Sequence, residues 1–72
     1  MSDFGERLKT LRKVKKVTQR EVAKTIDVTE RNYQHYEANT QKPGFEKLIA
    51  LADYFDVSLD YLVGRSEDPK RY

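Results

Sequence analysis

Hydrophobic residues recur along the chain at intervals of three and four, the spacing of one face of an α-helix. This spacing predicts five short helices and no strand. The first helix is expected from about Asp3 to Lys16, and its apolar stripe consists of Phe4, Leu8 and Leu11. The fourth is expected from about Phe45 to Phe55, and its apolar face consists of Phe45, Leu48, Ile49, Ala52 and Phe55. Ser58 caps a fifth helix that Gly64 ends.

The segment 18–37, TQREVAKTIDVTERNYQHYE, predicts two helices joined by a tight turn. Thr18 and Glu21 have the T-x-x-E spacing of a capping box, and Thr29 is a second helix cap. Only Ile26, Asp27 and Val28 remain for the turn, so the two helices must cross steeply over a small shared core. That core is predicted to contain Val22, Ala23, Ile26, Val28, Tyr33 and Tyr36. The unit is a helix-turn-helix.

Composition limits the chain to one small domain of 72 residues, with no cysteine for disulfides or thiolate metal sites. No apolar run approaches the ~18 residues of a membrane span, and no signal peptide opens the chain. The net charge of +2 is unevenly distributed. Residues 1–42 carry 10 Lys and Arg against 6 Asp and Glu, whereas residues 43–72 carry 4 against 6. This asymmetry suggests a face for a polyanion, although charge alone does not distinguish it from chance variation across solvated faces.

Four segments, FGERLKTLR, TQREVAKTIDV, YEANTQKP and LADYFDVSLDYLVG, carry a resemblance to a known family. In this order and spacing they resemble the helix-turn-helix family of phage repressors and Cro proteins, often called the XRE family. The resemblance covers residues 4–64. It implies a compact all-α, five-helix DNA-binding domain at 1–64, with its motif at 18–37. It also implies a cytoplasmic, bacterial or phage-encoded transcriptional regulator, a repressor that binds a two-fold symmetric operator as a homodimer. The polar composition of residues 65–72, RSEDPKRY, separately predicts a flexible tail.

Two positions depart from the family pattern, which has glycine where this chain has Asp27 and Asn39. Both glycines serve a left-handed backbone conformation, one in the turn and one after the second motif helix. Aspartate and asparagine enter this region more easily than other non-glycine residues. Both turns are therefore expected to form at some cost in stability.

The second motif helix is expected to turn four chemically varied side chains outward, because Tyr33 and Tyr36 face the core. In this family's geometry these side chains read base edges in the major groove. Arg31 suits guanine and Gln34 suits adenine. Glu30 either accepts from a cytosine amino group or orients Arg31 through an ion pair. The predicted base-reading set is Glu30, Arg31, Gln34 and His35, and the last of these contacts a base or a phosphate.

A second set is expected to contact the phosphate backbone, which fixes docking without reading sequence. By resemblance, Gln19 at the start of the first motif helix and Thr29 at the start of the second contact the DNA backbone. Arg12 is expected to pair with Glu37 and also to contact a phosphate. The predicted phosphate contacts are Arg12, Gln19, Thr29, Asn32, Thr40, Gln41 and Lys42.

The second half of the chain has more apolar surface than one short helix can cover. The surplus suggests a two-fold contact between copies, formed by Tyr54, Leu59, Tyr61 and Val63. A competing interpretation is a protein-interaction module, such as an antitoxin or antagonist that sequesters a protein partner through the acidic half. An enzyme is poorly supported, because the sequence has no phosphate loop, metal-ligand cluster or nucleophile–base arrangement. No cofactor, membrane contact or small-molecule effector domain is expected.

Overall fold

The computed structural model describes residues 3–71, which form five α-helices. Their bounds are Phe4–Lys15 (α1), Gln19–Thr25 (α2), Glu30–Glu37 (α3), Phe45–Phe55 (α4) and Leu59–Leu62 (α5). Residues 3–71 contain no strand, and the predicted all-α, five-helix class is confirmed. None of these helices has the length and apolarity needed to cross a membrane.

Four of the helices begin at a side-chain cap, and three of these caps are predicted above from the sequence. The side chains of Asp3, Thr18, Thr29 and Ser58 each accept a hydrogen bond from the backbone N–H three residues later, at 3.0–3.1 Å. Such a cap satisfies one of the amides left open in the first turn and contributes about 1 kcal/mol. The fourth helix begins at Gly44 without a side-chain cap. The caps fix the starts of α2 and α3 and therefore the length of the turn between them.

Four helices end at a non-glycine residue in the left-handed conformation. Lys16, Asp27, Asn39 and Asp56 have φ values of 61°, 62°, 62° and 55°. Asp27 and Asn39 therefore adopt the conformation predicted for them. Lys16, expected as the last residue of the first helix, was not predicted to do so. The Lys16 amide donates to Lys13 O at 3.1 Å and the Val17 amide to Arg12 O at 3.2 Å, which satisfies two of the last carbonyls.

The start of α1 lies directly against the end of α3. A Cβ at Gly5 would overlap the carbonyl group of Glu37, so the two backbones can meet only where α1 has glycine. Asn39 fastens the contact, because its Oδ1 accepts from the Gly5 amide at 3.0 Å and its Nδ2 donates to Asp3 Oδ1 at 2.6 Å. The hydrogen bond from Asn39 also lowers the pKa of Asp3. The asparagine thus makes two contacts that the family's glycine could not make.

The core is one cluster drawn from all five helices and the turns between them. Its buried hydrophobic members are Leu8, Val22, Ala23, Ile26, Tyr33, Tyr36, Leu51, Ala52, Val57 and Leu62. Of the six residues predicted for the helix-turn-helix core, five are buried and Val28 is half-buried.

The placement of Phe45 in the apolar face of α4 was wrong, because its side chain is 74% exposed. Phe45 is the first residue of α4. Side chains on a helix tilt toward its N-terminus, so the ring extends past the end of the helix.

Residues 65–71, predicted to be a flexible tail, lie against the helices in the structure. The carboxylate of Glu67 is 3.2 Å from Arg7 Nη2 in α1, and the carbonyl of Pro69 accepts from the Ser58 amide at 3.0 Å. Arg71 donates to Asp53 Oδ1 at 2.6 Å and to Ala52 O at 3.3 Å, near the end of α4. The segment has no helix or strand, but it contacts α1, α4 and the cap of α5.

Replacing Asp27 with glycine should stabilise the protein. Its side chain is exposed, and glycine removes the cost of the left-handed conformation, so Asp27→Gly is expected to raise the free energy of unfolding by about 0.5–1 kcal/mol. Asn39→Gly is the matched control, because it relieves the same strain but loses the contacts to Gly5 and Asp3. It should lower stability by about 1 kcal/mol in urea unfolding. Changes of the same sign in both variants would contradict this account.

Removing residues 65–72 should weaken the second half of the domain. The truncated protein is expected to melt at a lower temperature, and the Ser58 amide, no longer bonded to Pro69, should exchange its hydrogen faster. Arg71→Gln should produce a smaller drop, because it leaves the contacts of Glu67 with Arg7 and of Pro69 with Ser58 in place. Unchanged melting and unchanged Ser58 exchange in the truncated chain would mean that the segment does not dock in solution.

Candidate nucleic-acid interface

One face of α3 is buried and the opposite face points to solvent. Tyr33 and Tyr36 are 0% and 3% exposed, and their rings meet edge to face with centroids 6.2 Å apart. Residues three or four positions apart share one side of a helix, so the burial of Tyr33 and Tyr36 leaves Arg31 and Gln34 on the opposite side. Glu30, Arg31 and Gln34 are all exposed. The structure therefore brings three of the four predicted base-reading residues onto one open surface.

The fourth, His35, is half-buried and engaged with the loop that follows α3. Its Nδ1 lies 2.7 Å from Thr40 Oγ1. The carbonyl of His35 accepts from the Thr40 amide at 3.0 Å, so the loop folds back onto the last turn of the helix. Two residues that the sequence assigns to DNA separately are therefore in contact with each other.

The end of α3 is held by the carboxylate of Glu37, whose side chain is only 3% exposed. Oε2 accepts from Arg12 Nε at 2.7 Å, and Oε1 accepts from Arg12 Nη2 at 3.2 Å. The side-chain amide of Gln19 also donates to Oε1, at 3.0 Å. One carboxylate thus joins α1, the first residue of α2 and the last residue of α3.

Burial and hydrogen bonding act on Glu37 in opposite directions. Burial by itself would raise the pKa of Glu37, but hydrogen bonds from Arg12 and Gln19 outweigh it and hold the pKa below its ordinary value. The hydrogen bond to Glu37 raises the pKa of Arg12. Burial, reinforced by the nearby carboxylate, raises the pKa of Tyr33 far above its ordinary range. Glu37 is therefore charged in the folded protein, and the cluster stabilises the fold most above the ordinary pKa of glutamate.

Two of the residues predicted to contact phosphate, Arg12 and Gln19, donate their side-chain hydrogen bonds to other groups of the protein. Besides its two bonds to Glu37, Arg12 donates from Nη1 to the carbonyl of Val17 at 3.2 Å. Gln19 is half-buried with its amide turned to Glu37. The pair of Arg12 with Glu37 is present in the structure, while the phosphate contacts of Arg12 and Gln19 stay predictions.

The remaining phosphate candidates lie around the two ends of α3. Thr29 caps the helix, and Asn32 donates from its side chain to Tyr36 Oη at 3.3 Å along the helix. Gln41 and Lys42 are exposed in the loop after α3. Arg20 and Lys24 on α2 are also exposed, and with Glu30 they line a depression between α2 and the start of α3. Positive charge is thus present on α2 as well as on the predicted loop.

Lys47 of α4 supports the motif, although no motif in the sequence marks it. Its Nζ donates to Ile26 O at 2.9 Å and to Asp27 O at 3.4 Å, which places a charge from α4 on the turn between α2 and α3. A cation suits the carbonyl end of a helix. No local signal marks this role, because it depends on where α4 packs.

The four residues predicted for a contact between copies have different surroundings. Tyr54 packs against Phe55 and beneath Lys15, whose Nζ is 4.9 Å from the ring centroid. Tyr61 lies under the guanidinium of Arg7, at 3.8 Å. Both tyrosines therefore have partners within the chain. Leu59 is 41% exposed, whereas Val63 is half-buried like the two tyrosines, and no ring or cation contact involves either of these aliphatic side chains within residues 3–71.

With this geometry established, comparison with known proteins identifies the group to which the chain belongs. A family model described as a helix-turn-helix domain matches residues 5–65. An uncharacterized HTH-type transcriptional regulator of Bacillus subtilis, YobD, is 42% identical over 66 residues, which are 92% of this chain and 59% of that protein. The cryptic phage CTXphi transcriptional repressor RstR of Vibrio cholerae is 37% identical over 60 residues, which are 83% of this chain and 54% of RstR. The chain therefore spans little more than half the length of these relatives.

A solved structure agrees with the family and with the arrangement of helices. The P22 c2 repressor, crystallised with a synthetic operator, superposes with a TM-score of 0.85 at 29% identity. The match covers 92% of this chain and all of that one. The chain belongs to the helix-turn-helix family of transcriptional regulators and phage repressors.

Proposed function

We propose that this chain is a sequence-specific DNA-binding module of a transcriptional regulator, and that it represses by occupying an operator. The observation that carries the proposal is the exposed row of Glu30, Arg31 and Gln34 on a helix whose other face is buried. The half-buried His35 extends this surface toward the loop. The P22 c2 relative was crystallised with an operator and RstR is named a transcriptional repressor, which supports the same function for this chain. Such a protein would act in the cytoplasm.

The proposed base contacts follow from the donors and acceptors on α3. A guanidinium can donate twice to guanine O6 and N7, and a carboxamide can pair with adenine N6 and N7, so we assign Arg31 to guanine and Gln34 to adenine. Within residues 3–71, Glu30 makes no ion pair with Arg31 at 4 Å or less. This supports the assignment of Glu30 to a cytosine amino group rather than to the orientation of Arg31.

The proposed docking uses the free amides at the start of α3 together with flexible side chains of the loop. Helix N-termini favour phosphate because their first N–H groups are unpaired and the helix dipole is positive there. Lys42 and Gln41 are exposed on the loop after α3, at the other end of the helix. Contacts at both ends would fix how α3 lies in the major groove.

We further propose that two copies bind together, so that two α3 helices enter successive major grooves about 34 Å apart. Leu59 and Val63, four positions apart, are the candidate contact. A selection of bound fragments from random duplex DNA tests the function and this symmetry together. The expected product is an inverted repeat whose half-site centres are about 10 base pairs apart. Recovery of no preferred sequence would refute sequence-specific binding, and a single half-site bound by one copy would refute the dimer.

Arg31→Ala should relax the preference at one base pair of each selected half-site. The loss of a double hydrogen bond is expected to cost about 1–3 kcal/mol on the preferred base and little on the others. Arg20→Ala removes the same charge from α2 and serves as the matched control. It should weaken binding equally on all sequences, if at all. Fluorescence anisotropy on operators carrying each base at each position measures both, and equal losses at every position for Arg31→Ala would contradict base reading.

Arg12→Ala should destabilise the fold, because it leaves the Glu37 carboxylate buried with one donor group fewer. The expected loss is about 2–4 kcal/mol in urea unfolding at low temperature, and binding to all DNA sequences should weaken together. The stability of Arg12→Lys should fall between those of Arg12→Ala and the wild type, because an ammonium cannot make the forked contact. The exposed Arg65, 3.9 Å from Asp60, supplies the control: Arg65→Ala should change stability little.

The contribution of the Glu37 cluster to stability can also be measured by following the free energy of unfolding as the pH is lowered. Since the folded pKa of Glu37 lies below its ordinary value, the stabilisation is fully present above the ordinary pKa of glutamate and is lost as the pH falls through the folded pKa. The difference in stability between wild type and Arg12→Ala should therefore shrink in acid. A difference that stays constant with pH would show that the ion pair is not its source.

A further inference from the structure

The hydroxyl of Thr40 contacts His35 at two atoms, one in the imidazole ring and one in the backbone. Thr40 Oγ1 lies 2.7 Å from His35 Nδ1 and 3.3 Å from His35 O. The same carbonyl accepts from the backbone amides of Thr40 at 3.0 Å and of Gln41 at 3.4 Å. The loop is thus bound to His35 through both its backbone and its side chain, which holds the threonine hydroxyl beside the imidazole.

The number of available protons determines how this contact is made. A threonine hydroxyl has one proton to donate and two lone pairs to accept with, and a neutral imidazole has one N–H. If the hydroxyl gives its proton to the carbonyl of His35, it can accept from Nδ1–H at the same time, and both contacts are satisfied. If the hydroxyl gives its proton to Nδ1 instead, the contact to the carbonyl is lost. The arrangement that makes both hydrogen bonds therefore places the imidazole proton on Nδ1.

We infer that Thr40 fixes the tautomer of His35, so that the neutral imidazole presents Nε2 to DNA as a hydrogen-bond acceptor. The inference rests on the DNA-reading function proposed above. Nε2 makes no hydrogen bond to any residue within 3–71. His35 lies four positions after Arg31, on the same side of α3, so Nε2 extends the row of base-reading atoms.

An acceptor at this position reads a restricted set of bases. In the major groove only adenine and cytosine offer a donor, through the amino groups N6 and N4, whereas guanine offers the acceptors N7 and O6. His35 should therefore prefer a base that bears an amino group in the major groove and discriminate against guanine. With the other tautomer, Nε2–H would donate, and guanine would be preferred. Thr40 is accordingly a positioning residue that sets specificity without touching the base.

This role differs measurably from the phosphate contact that the sequence assigns to Thr40. Loss of a phosphate contact weakens binding to every sequence alike. Loss of a tautomer-fixing contact changes the preference at one base pair only. Thr40→Val has nearly the same shape without a hydroxyl, and Thr40→Ser keeps the hydroxyl, so the two variants form a matched pair. The exposed position of Thr40 makes either substitution tolerable to the fold, which thermal melting verifies.

The experiment begins with the operator selected by the wild-type protein and locates the base pair whose preference His35→Ala abolishes. Anisotropy titrations in one buffer at a fixed pH then compare all four bases at that position for each protein. The wild type is expected to prefer adenine or cytosine over guanine by roughly three- to tenfold. Thr40→Val should reduce that ratio toward one, and Thr40→Ser should retain it. Removing the amino group from the preferred base should lower the affinity of the wild type for the operator. The affinity of Thr40→Val should not change.

Three results would overturn the inference while leaving the proposed function intact. These are a wild-type preference for guanine at the His35 position, a ratio that survives in Thr40→Val, and an equal loss by Thr40→Val on every sequence. The last of these would assign Thr40 to phosphate alone. Failure of the wild type to select any sequence would instead refute the proposed function itself, so the two failures are distinguishable.

Discussion

The fold and the candidate interface depend on a single buried carboxylate. Glu37 ends α3, and its two oxygens bind Arg12 of α1 and Gln19 of α2. A buried charge is costly unless its hydrogen-bonding capacity is filled, so the three helices can pack only in the arrangement that brings these donors together. Hydrophobic packing alone would tolerate small rotations of α3. The ion pair does not, and it therefore sets the direction in which the exposed face of α3 points.

The turns that follow the helices contain strained residues, and at some of them specific contacts offset the strain. Four helices end in left-handed residues that are not glycine, and each of these conformations costs about 1 kcal/mol. At Asn39 the strain is offset by two side-chain hydrogen bonds to the start of α1, where Gly5 allows the backbones to touch. At Asp27 the compensation comes instead from Lys47, which binds the backbone carbonyls of the turn. At Asn39 and Asp27 the same backbone conformation is thus supported by different chemical contacts.

The features that the sequence predicted are those that depend on neighbours along the chain. Thr18, Thr29 and Ser58 cap helices because a cap needs only the amide three residues later. The outward direction of Arg31 and Gln34 follows in the same way from the inward direction of Tyr33 and Tyr36 on one helix. The pair of Arg12 with Glu37 was anticipated only through the family resemblance, since its members are 25 positions apart.

The features that it did not predict depend on the path of the chain in space. Lys47 reaches the turn only because α4 packs beside it, and Arg7 is buried because Tyr61 and Glu67 come from the far end of the chain. Phe45 fits the apolar spacing of α4 but lies at its first position, where no other element covers the ring. The contact of Thr40 with His35 requires the loop to fold back, and the composition of that loop indicates a turn without giving its course.

The candidate interface therefore combines side chains that are already ordered with side chains that remain free. Gln19, Asn32, His35 and Thr40 are held by hydrogen bonds within the protein, so little conformational entropy is left for them to lose on binding. Arg31, Gln34, Gln41 and Lys42 are exposed, and each would lose about 0.5–1.5 kcal/mol of rotamer freedom when it is immobilised. The ordered group suits the fixing of orientation, since its geometry is set before DNA arrives. The free group suits adjustment to base edges and phosphates. Discrimination between DNA sequences must therefore come from the free group, because it completes its contacts on a preferred sequence and leaves some unmade on another, and the two binding free energies differ.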